Sequence, residues 1–273
     1  GAHLVAMCDI LPDRVQAKRV ELKKHAPDQV AVPNDHCFAG FDAYKQACAT
    51  DCDIAILATP PGFRPIHFKE ATAKGKHVFC EKPVAVDGPG VRSFVESAAQ
   101  SRSKKLKVAA GTQRRHEQCY LECIDRIQKG DIGKVVAGRV YWNMGSLWNV
   151  TPDAKKSDVE NQIRNWLYFT WTSGDHIVEQ HVHNLDVVNW AMGGPPVRAT
   201  GMGGREVRRG AEYGHIFDHF AIEYEYKNGA SGMSYCRQID GCANDVSEHV
   251  YGADGACHMD SGNWRIEGKN AWK

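Results

Sequence analysis

Residues 172–190, TSGDHIVEQHVHNLDVVNW, combine three histidines and three acids with apolar residues in a pattern that predicts a buried helix. A rotation of about 100° per residue sorts these side chains into two faces. One face carries His176, Glu179, His183 and Asp186, and the opposite face carries Val178, Val182 and Leu185. Imidazole and carboxylate groups exchange protons near neutral pH. The polar face is therefore a candidate site of proton transfer.

Metal binding and core packing compete with proton transfer as roles for this face. A zinc site is conceivable because His176, Glu179 and His183 have ligand-type side chains on adjacent turns. The chain lacks an HExxH motif, and Gln180 takes the place of the last histidine in HxxEH, so we expect no metal here. Satisfied core histidines account for one or two of the groups, but each unpartnered buried polar atom costs about 1–3 kcal/mol. His181 points away from the polar face and is expected to pack in the core or at an interface.

Strands and helices alternate before this segment. Strand patterns at HLVAMCDI, DIAILATP, KHVFCEK and LKVAAGT are separated by helical patterns at residues 11–26, 42–49, 65–74 and 90–101. Buried strands alternating with helices are typical of a parallel sheet covered on both faces. We predict a doubly wound α/β domain over residues 1–113.

The pattern changes after Gly111. A helix is expected near residues 115–129, followed by the long strand VVAGRVYWNMG and by further strands joined at Asn-Gly and Asp-Gly turns. Such turns connect antiparallel neighbours. We predict an α+β domain with a mostly antiparallel open sheet over residues 114–273.

Composition limits the partners. The net charge of +1 argues against a broad surface for nucleic acid or anionic lipid, and the longest apolar runs are too short to span a membrane. A small-molecule partner is expected. Ten cysteines without a CxxC pair indicate reduced thiols and hence a cytoplasmic protein, although an export signal upstream of Gly1 stays open.

Asp9 ends the first predicted strand, where an acid commonly binds the adenine ribose of a dinucleotide; alternatively, it only opens the turn DILPD. A GxGxxG loop is not found, and GMGGREVRRG at residues 201–210 has the wrong spacing and context. Either no dinucleotide binds, or this fingerprint lies upstream of the sequence.

Residues 58–87, ATPPGFRPIHFKEATAKGKHVFCEKPVAVD, resemble the Gfo/Idh/MocA family of sugar and polyol dehydrogenases, whose hallmark is an ATP…H…GKHV.CEKP pattern. The resemblance implies a Rossmann-like domain, with Glu81 and Lys82 near the nicotinamide ribose and Lys82 also reaching the substrate. Together with Asp9 at its strand end and Gln113 at the domain junction, the expected cofactor-binding residues are Thr59, Pro60, His67, Glu81 and Lys82. A carboxylate at Asp9 favours NAD over NADP.

A second family hallmark, GG…D…H..D, is matched by Ser173-Gly174, Glu179, His183 and Asp186. The resemblance implies that His183 takes the proton of a substrate hydroxyl while hydride leaves the same carbon. Glu179 would orient the imidazole or hold a neighbouring hydroxyl, and Asp186 would anchor the helix. Ser173 and Glu179 depart from the family's Gly and Asp, which puts the substrate contact of residue 179 in doubt.

Aromatic and hydrogen-bonding side chains near the predicted catalytic residues suit a sugar ring. The substrate-binding candidates are Arg115, Trp142, Asn143, Arg164, Trp166, Tyr168 and His176. Core packing explains most of the tryptophans equally well, and a solvated surface explains Gln113 and Arg115.

The expected function is NAD-dependent hydride transfer to or from a sugar, polyol or sugar derivative, with Lys82, Glu179 and His183 as catalytic residues. NAD-assisted glycoside hydrolysis and non-catalytic sugar sensing are the alternatives. We expect the chain to lack the family's first strand with its glycine loop and part of the second domain. It should therefore bind NAD poorly and be less stable than the longer protein. The resemblance also implies a homo-oligomer.

Overall fold

The computed structural model describes residues 1–260 and 262–273. The chain forms two compact units, Gly1–Gly111 and Thr112–Lys273, which divide two residues before the boundary expected from the sequence.

The N-terminal unit alternates short strands with helices. Its elements are β1 (Met7–Asp9), α1 (Pro12–His25), β2 (Cys37–Ala39), α2 (Ala43–Ala49), β3 (Ile54–Leu57), α3 (Arg64–Ala73), β4 (His77–Cys80), α4 (Gly88–Ser103) and β5 (Val108–Ala110). Proline begins α1 and lies in the first turns of α3 and α4, where its missing N–H costs no helical hydrogen bond. The short strand β2 was not predicted, because three residues carry too little periodicity.

The parallel sheet of this unit is in two pieces. β1 pairs with β2, and β3, β4 and β5 pair in that order, all in parallel. In the usual order 3-2-1-4-5-6, the first strand separates the second from the fourth. Within the described residues β1 does not pair with β3. The predicted fold class is confirmed.

Among the described residues, helices cover one face of the larger piece of the sheet, whereas the sequence predicted cover on both faces. Leu57, Val78 and Cys80 pack against Phe68 and Ala71 of α3. On the opposite face the side chains of Ile54, Ile56 and Phe79 are 57%, 68% and 36% exposed. The prediction was wrong here because α3 and α4 lie on the same face.

The C-terminal unit contains five helices and seven strands within the described residues. They are α5 (Gln118–Lys129), β6 (Val135–Met144), α6 (Asp158–Arg164), α7 (Thr170–Ser173), α8 (Asp175–Glu179), α9 (Val182–Met192), β7 (Arg198–Gly204), β8 (His219–Glu225), β9 (Ser231–Gln238), β10 (Asp245–Gly252), β11 (Gly255–Asp260) and β12 (Trp264–Gly268). Single turns of 3-10 helix occur at Gln113–His116, Trp166–Tyr168 and Ala211–Tyr213.

The strands form one sheet in the order β12-β11-β10-β6-β9-β8-β7. Only the central β6–β9 pair is parallel. The predicted turns at Asn228-Gly229 and Asp254-Gly255 connect β8 to β9 and β10 to β11 as antiparallel hairpins. The expected mostly antiparallel sheet is therefore confirmed. Helices α5 and α9 cover one face, with Tyr120, Ile124 and Val187 in the main core.

The single helix predicted over residues 172–190 is wrong, because the segment breaks into α7, α8 and α9. Gly174 and Asp175 both adopt left-handed backbone conformations, with φ of 75° and 71°. The Asp175 carboxylate stabilises this turn by accepting hydrogen bonds from the backbone N–H groups of His176 (2.6 Å) and Phe217 (2.8 Å). A second break follows at Gln180, where φ is −113°. The four polar side chains therefore do not share one helical face.

No helix in the described part of the chain is both long and apolar enough to span a membrane.

Candidate functional site

In the N-terminal unit, candidate cofactor residues gather at the carboxyl edge of the sheet. Leu57, Cys80 and Ala110 align across β3, β4 and β5, so the residues that follow these strands lie at one edge. Those residues include Thr59, Pro60, Glu81 and Lys82. Doubly wound sheets bind ligands at this edge. A carboxylate and an ammonium group are thus available there to ribose hydroxyls and to a reacting oxygen.

Gly111 lies against the residues that follow β4. Its N–H donates to the carbonyl of Cys80 (2.8 Å), and a Cβ at this position would overlap the carboxylate of Glu81. A second contact fixes the turn after β4, because the buried Arg64 guanidinium donates a hydrogen bond to the carbonyl of Pro83 (2.6 Å). Lys82 therefore projects from a turn that is held at both ends.

His67 lies beneath the turn that contains Thr59. Its Nδ1 is 3.1 Å from Thr59 Oγ1. The ring stacks on Phe63 with a centroid distance of 6.1 Å and contacts the tilted ring of Tyr44 at 4.5 Å. Burial lowers the pKa of His67 to about 4, so the ring is neutral. In this position His67 holds the Thr59 turn, and its cofactor contact stays a prediction.

Asp9 and Gln113 are placed differently from the other cofactor candidates. Asp9 ends β1, and its Oδ1 accepts a hydrogen bond from the N–H of Leu11 (2.8 Å), so the turn-forming role considered from the sequence is real. Gln113 is exposed in a 3-10 turn of the C-terminal unit.

The donor set of the N-terminal unit fits part of a dinucleotide. The edge that carries Thr59, Glu81 and Lys82 offers a hydroxyl, a carboxylate and an ammonium group, which are hydrogen-bonding partners suited to ribose hydroxyls. The glycine-rich phosphate loop is absent from the sequence. The residues present therefore fit the ribose–nicotinamide half of NAD.

In the C-terminal unit, His183 lies in the first turn of α9 and stacks on Trp142 of β6. The ring centroids are 5.8 Å apart, and the ring planes meet at 25°. The indole Nε1 donates to the sulfur of Met144 (3.0 Å). His183 is 6% exposed. The imidazole is therefore held in a defined orientation on an aromatic support.

A buried polar network that the sequence did not predict lies beside this pair. We call Arg114, Tyr120, Asn184 and Glu248 the Glu248 network. The Glu248 side chain, 0% exposed, accepts hydrogen bonds from Arg114 Nη1, from Tyr120 OH (3.0 Å) and from Asn184 Nδ2 (2.6 Å). Burial raises the pKa of Glu248 to about 7, against the opposing effect of Arg114.

A sequence signal for this network exists. In DVSEHVYG, Glu248 alternates with Val246 and Val250, so an acid occupies the register of the apolar face of a strand. A carboxylate at a core position must be paired, and this requirement marks it for attention.

Two predicted substrate-binding residues have other contacts or directions: Arg115 binds Asp186, and Asn143 faces away from α9. Arg115 forms a bidentate ion pair with Asp186, at 2.7 Å and 2.9 Å, and its guanidinium lies 4.7 Å from the ring of Trp190. Asp186 thus anchors α9, as the sequence suggested. Asn143 was grouped with Trp142, but successive residues of a strand point to opposite faces. Asn143 accordingly lies on the sheet face away from α9.

Two further substrate candidates are core residues in this structure. His176 is 1% exposed, and neither ring nitrogen has a hydrogen-bond partner among the described residues. Burial lowers its pKa to about 3. Tyr168 is fully buried and donates its hydroxyl to the carbonyl of Leu147 (3.0 Å). Neither side chain offers a polar atom to a solvent-borne sugar here, because the surrounding core encloses both. His181 is also buried, 2.7 Å from Ser234 Oγ, and packs as expected.

The remaining candidates are more accessible. Arg164 pairs with Glu160 (2.9 Å) within α6 and is partly exposed. Trp166 is partly exposed and meets Trp148 edge to face at 6.1 Å. Glu179 is the last residue of α8, partly exposed, and is separated from α9 by the break at Gln180.

Within the described residues, no three His, Cys, Asp or Glu side chains are grouped to hold a metal ion.

Comparison with known proteins connects both units to one family. The inositol 2-dehydrogenase of Klebsiella pneumoniae is 30% identical over 196 residues, which are 70% of this chain and 47% of that protein. Glycosyl hydrolase family 109 protein 1 of Bacteroides thetaiotaomicron is 25% identical over 195 residues, 68% of this chain and 39% of that protein. The chain spans about half the length of the curated relatives it matches.

The fold is also that of solved dehydrogenases. The WlbA dehydrogenase from Bordetella pertussis, crystallised with NADH and UDP-GlcNAcA, superimposes with a TM-score of 0.73 at 20% identity, covering 94% of this chain and 66% of that one. Residues 1–110 match the family model of the oxidoreductase family with an NAD-binding Rossmann fold, and residues 120–258 match the GFO/IDH/MocA C-terminal domain. The chain belongs to the Gfo/Idh/MocA family of oxidoreductases.

Proposed function

We propose that this chain carries the catalytic residues of an NAD-dependent dehydrogenase that acts on a sugar, polyol or sugar derivative. The observation that carries the proposal is the stacking of His183 on Trp142, which holds an imidazole, a common general acid and base, in one orientation. A relative named inositol 2-dehydrogenase supports the substrate class.

In the proposed reaction a ring nitrogen of His183 accepts the proton of a substrate hydroxyl, and the carbon that bears it becomes a carbonyl. NAD, when bound, supplies the acceptor for the hydride. Lys82 donates a hydrogen bond from Nζ to the reacting oxygen, and Glu179 holds a neighbouring hydroxyl. Reversal of these proton transfers serves reduction.

The preference for NAD over NADP is part of the proposal. Its support is Asp9, whose carboxylate ends β1, where the ribose of a dinucleotide binds in this class of sheet. A 2′-phosphate at that position would meet a like charge.

His183→Asn tests the proton-transfer role. At saturating NAD and with a panel of cyclitols and aldoses, the variant should lose about 10²–10⁴ in kcat, because a general base has been removed. Its affinity for NAD should not change. His116→Asn, an exposed position in the same unit, is the matched control and should keep wild-type kcat. Equal kcat for His183→Asn and the wild type would contradict the proposal.

NAD-assisted glycoside hydrolysis is a second candidate, and the relative named glycosyl hydrolase family 109 protein 1 favours it. The same residues would serve this reaction. It consumes no net NAD, so cleavage of a nitrophenyl glycoside without accumulation of NADH would support the hydrolase over the dehydrogenase.

We further propose that the protein assembles with copies of itself through the sheet face opposite α9. Tyr141, Tyr235 and His249 form an aromatic cluster on that face, with ring centroids 5.6 Å and 5.9 Å apart. Light scattering at micromolar concentration measures the assembly.

All ten cysteines are free thiols, which supports a cytoplasmic setting.

A further inference from the structure

The Glu248 network connects to His183 along two routes. On one route, Asn184 donates both to Glu248 and to the carbonyl of Tyr141 (2.9 Å), which fixes the residue adjacent to His183 at the start of α9. On the other route, the Arg114 guanidinium lies over the ring of Trp142, with Cζ 5.7 Å from the centroid. Trp142 is the residue on which the imidazole stacks.

Glu248 is the common point of both routes. Its Oε1 accepts from Arg114 and from Asn184, and its Oε2 accepts from Tyr120. Arg114 contacts two aromatic rings, because its Cζ also lies 5.4 Å from the ring centroid of Tyr120. A carboxylate with three donors on its two oxygens has little freedom to rotate, and its partners are fixed in turn.

Stability alone gives a poor reason for this arrangement. Desolvating a carboxylate and a guanidinium is costly, and a well-packed apolar pair of similar volume often serves a core at least as well. Glu248 and Arg114 lie beside Trp142 and His183, and in the proposed reaction the imidazole of His183 must keep one orientation. Supporting residues of this kind hold a reacting group in a productive geometry.

We propose that Glu248 is a positioning residue for the imidazole of His183. It acts through Asn184 on the backbone at the start of α9 and through the Arg114–Trp142 contact on the ring. This inference rests on the proposed function for its catalytic consequence, but the positioning itself can be measured without turnover.

The first test uses Glu248→Gln in the full chain. The amide oxygen of Gln can still accept from Arg114 and Asn184, but the negative charge that pairs with the buried Arg114 guanidinium is lost, so the network should loosen. In protein with isotope-labelled histidine, the ring resonances of His183, assigned by their loss in His183→Asn, should shift and broaden. With the substrate that the wild type turns over, kcat should fall about 10- to 100-fold, as for a misplaced reacting group, while KM changes less than about threefold.

Tyr226→Phe is the matched control. It removes a hydrogen bond from a buried tyrosine to Asn189 of α9 (2.9 Å), and neither residue belongs to the Glu248 network. The His183 resonances and kcat should match those of the wild type, although the variant loses stability. Equal shifts in Tyr226→Phe and Glu248→Gln would overturn the proposal, because any loosening of the core would then suffice.

Arg114→Lys covers the case in which Glu248→Gln does not fold. A lysine keeps the positive charge but not the planar contact with Trp142, so it should shift the His183 ring and lower kcat in the same range. Unchanged His183 resonances in every folded variant of Glu248 and Arg114 would overturn the inference. If Glu248→Gln shifts the resonances while the wild type transfers no hydride with any substrate, the positioning stands and the proposed function fails.

Discussion

At the scale of single residues, Arg115 and Asp186 form a partly exposed, bidentate ion pair in the C-terminal unit. Two parallel hydrogen bonds join them, and their side chains are 38% and 22% exposed. Partial exposure screens the attraction, but bidentate geometry preserves much of it. The pair connects the turn before α5 to α9 and so fixes the helix that carries His183.

Asp186→Asn should therefore lower the free energy of unfolding by about 1 kcal/mol, measured by urea titration. The control is Asp125→Asn, which breaks the exposed single contact with Lys129 and should cost only about 0.3 kcal/mol. Equal losses in the two variants would show that the bidentate geometry adds nothing.

At the scale of elements, the approach of α9 to β6 depends on Gly138. A Cβ there would lie 2.6 Å from Val188 Cγ2 and 3.2 Å from Met192 Cε, both on the helix. The sheet and helix can be this close only because the strand has no side chain at that point.

Gly138→Ala should cost about 1–3 kcal/mol of unfolding free energy, as overpacked cores do. Gly194→Ala, where nothing lies within 4 Å of the added Cβ, is the matched control and should stay within about 0.5 kcal/mol of the wild type. A neutral Gly138→Ala would mean that α9 can move away from the sheet at no cost.

The elements also show what the sequence could and could not predict. Strand alternation and Asn-Gly turns predicted β6, β8 and β9, because each depends on local pattern. The breaks on either side of α8 were missed, since the hydrophobic pattern runs through both, and the left-handed turn at Asp175 that begins α8 depends on a hydrogen bond from Phe217, far away in the chain. Glu248 was missed for the same reason, because its partners lie on α5, α9 and the turn before α5.

At the scale of the whole molecule, the two units should respond differently to acid. In the N-terminal unit, burial lowers the pKa of His67 to about 4, below the value near 6.5 in an unfolded chain. The stability contributed by the neutral ring is full above pH 6.5 and is lost as the pH falls toward 4. At pH 5 about 2 kcal/mol should be gone.

In the C-terminal unit, opposite shifts offset one another. Burial lowers the pKa of both His176 and His181 to about 3, which favours unfolding as the pH falls. Burial also raises the pKa of Asp175 to about 6 and that of Glu248 to about 7, so the folded state gains protons over the same range. Between pH 7 and pH 5, these contributions should largely cancel.

The seven tryptophans lie between residues 142 and 272, so their fluorescence follows the C-terminal unit alone. Its urea midpoint should change little from pH 7 to pH 5. Hydrogen exchange in peptides of residues 1–111, corrected for the intrinsic rate, should accelerate over the same interval in the wild type and not in His67→Gln. Acid-insensitive exchange in the wild-type peptides would contradict this assignment.

The central claim is that hydride passes between a carbohydrate carbon and nicotinamide with His183 as proton carrier. Its most direct measurement uses cyclitols and aldoses deuterated on carbon, incubated with the protein and saturating NAD, and mass spectrometry of the nicotinamide. The account predicts that at least one compound delivers a single deuterium to the ring with the wild type, and that His183→Asn binds NAD but delivers none in the same time. NAD that is bound but never deuterated by any member of the panel would contradict it.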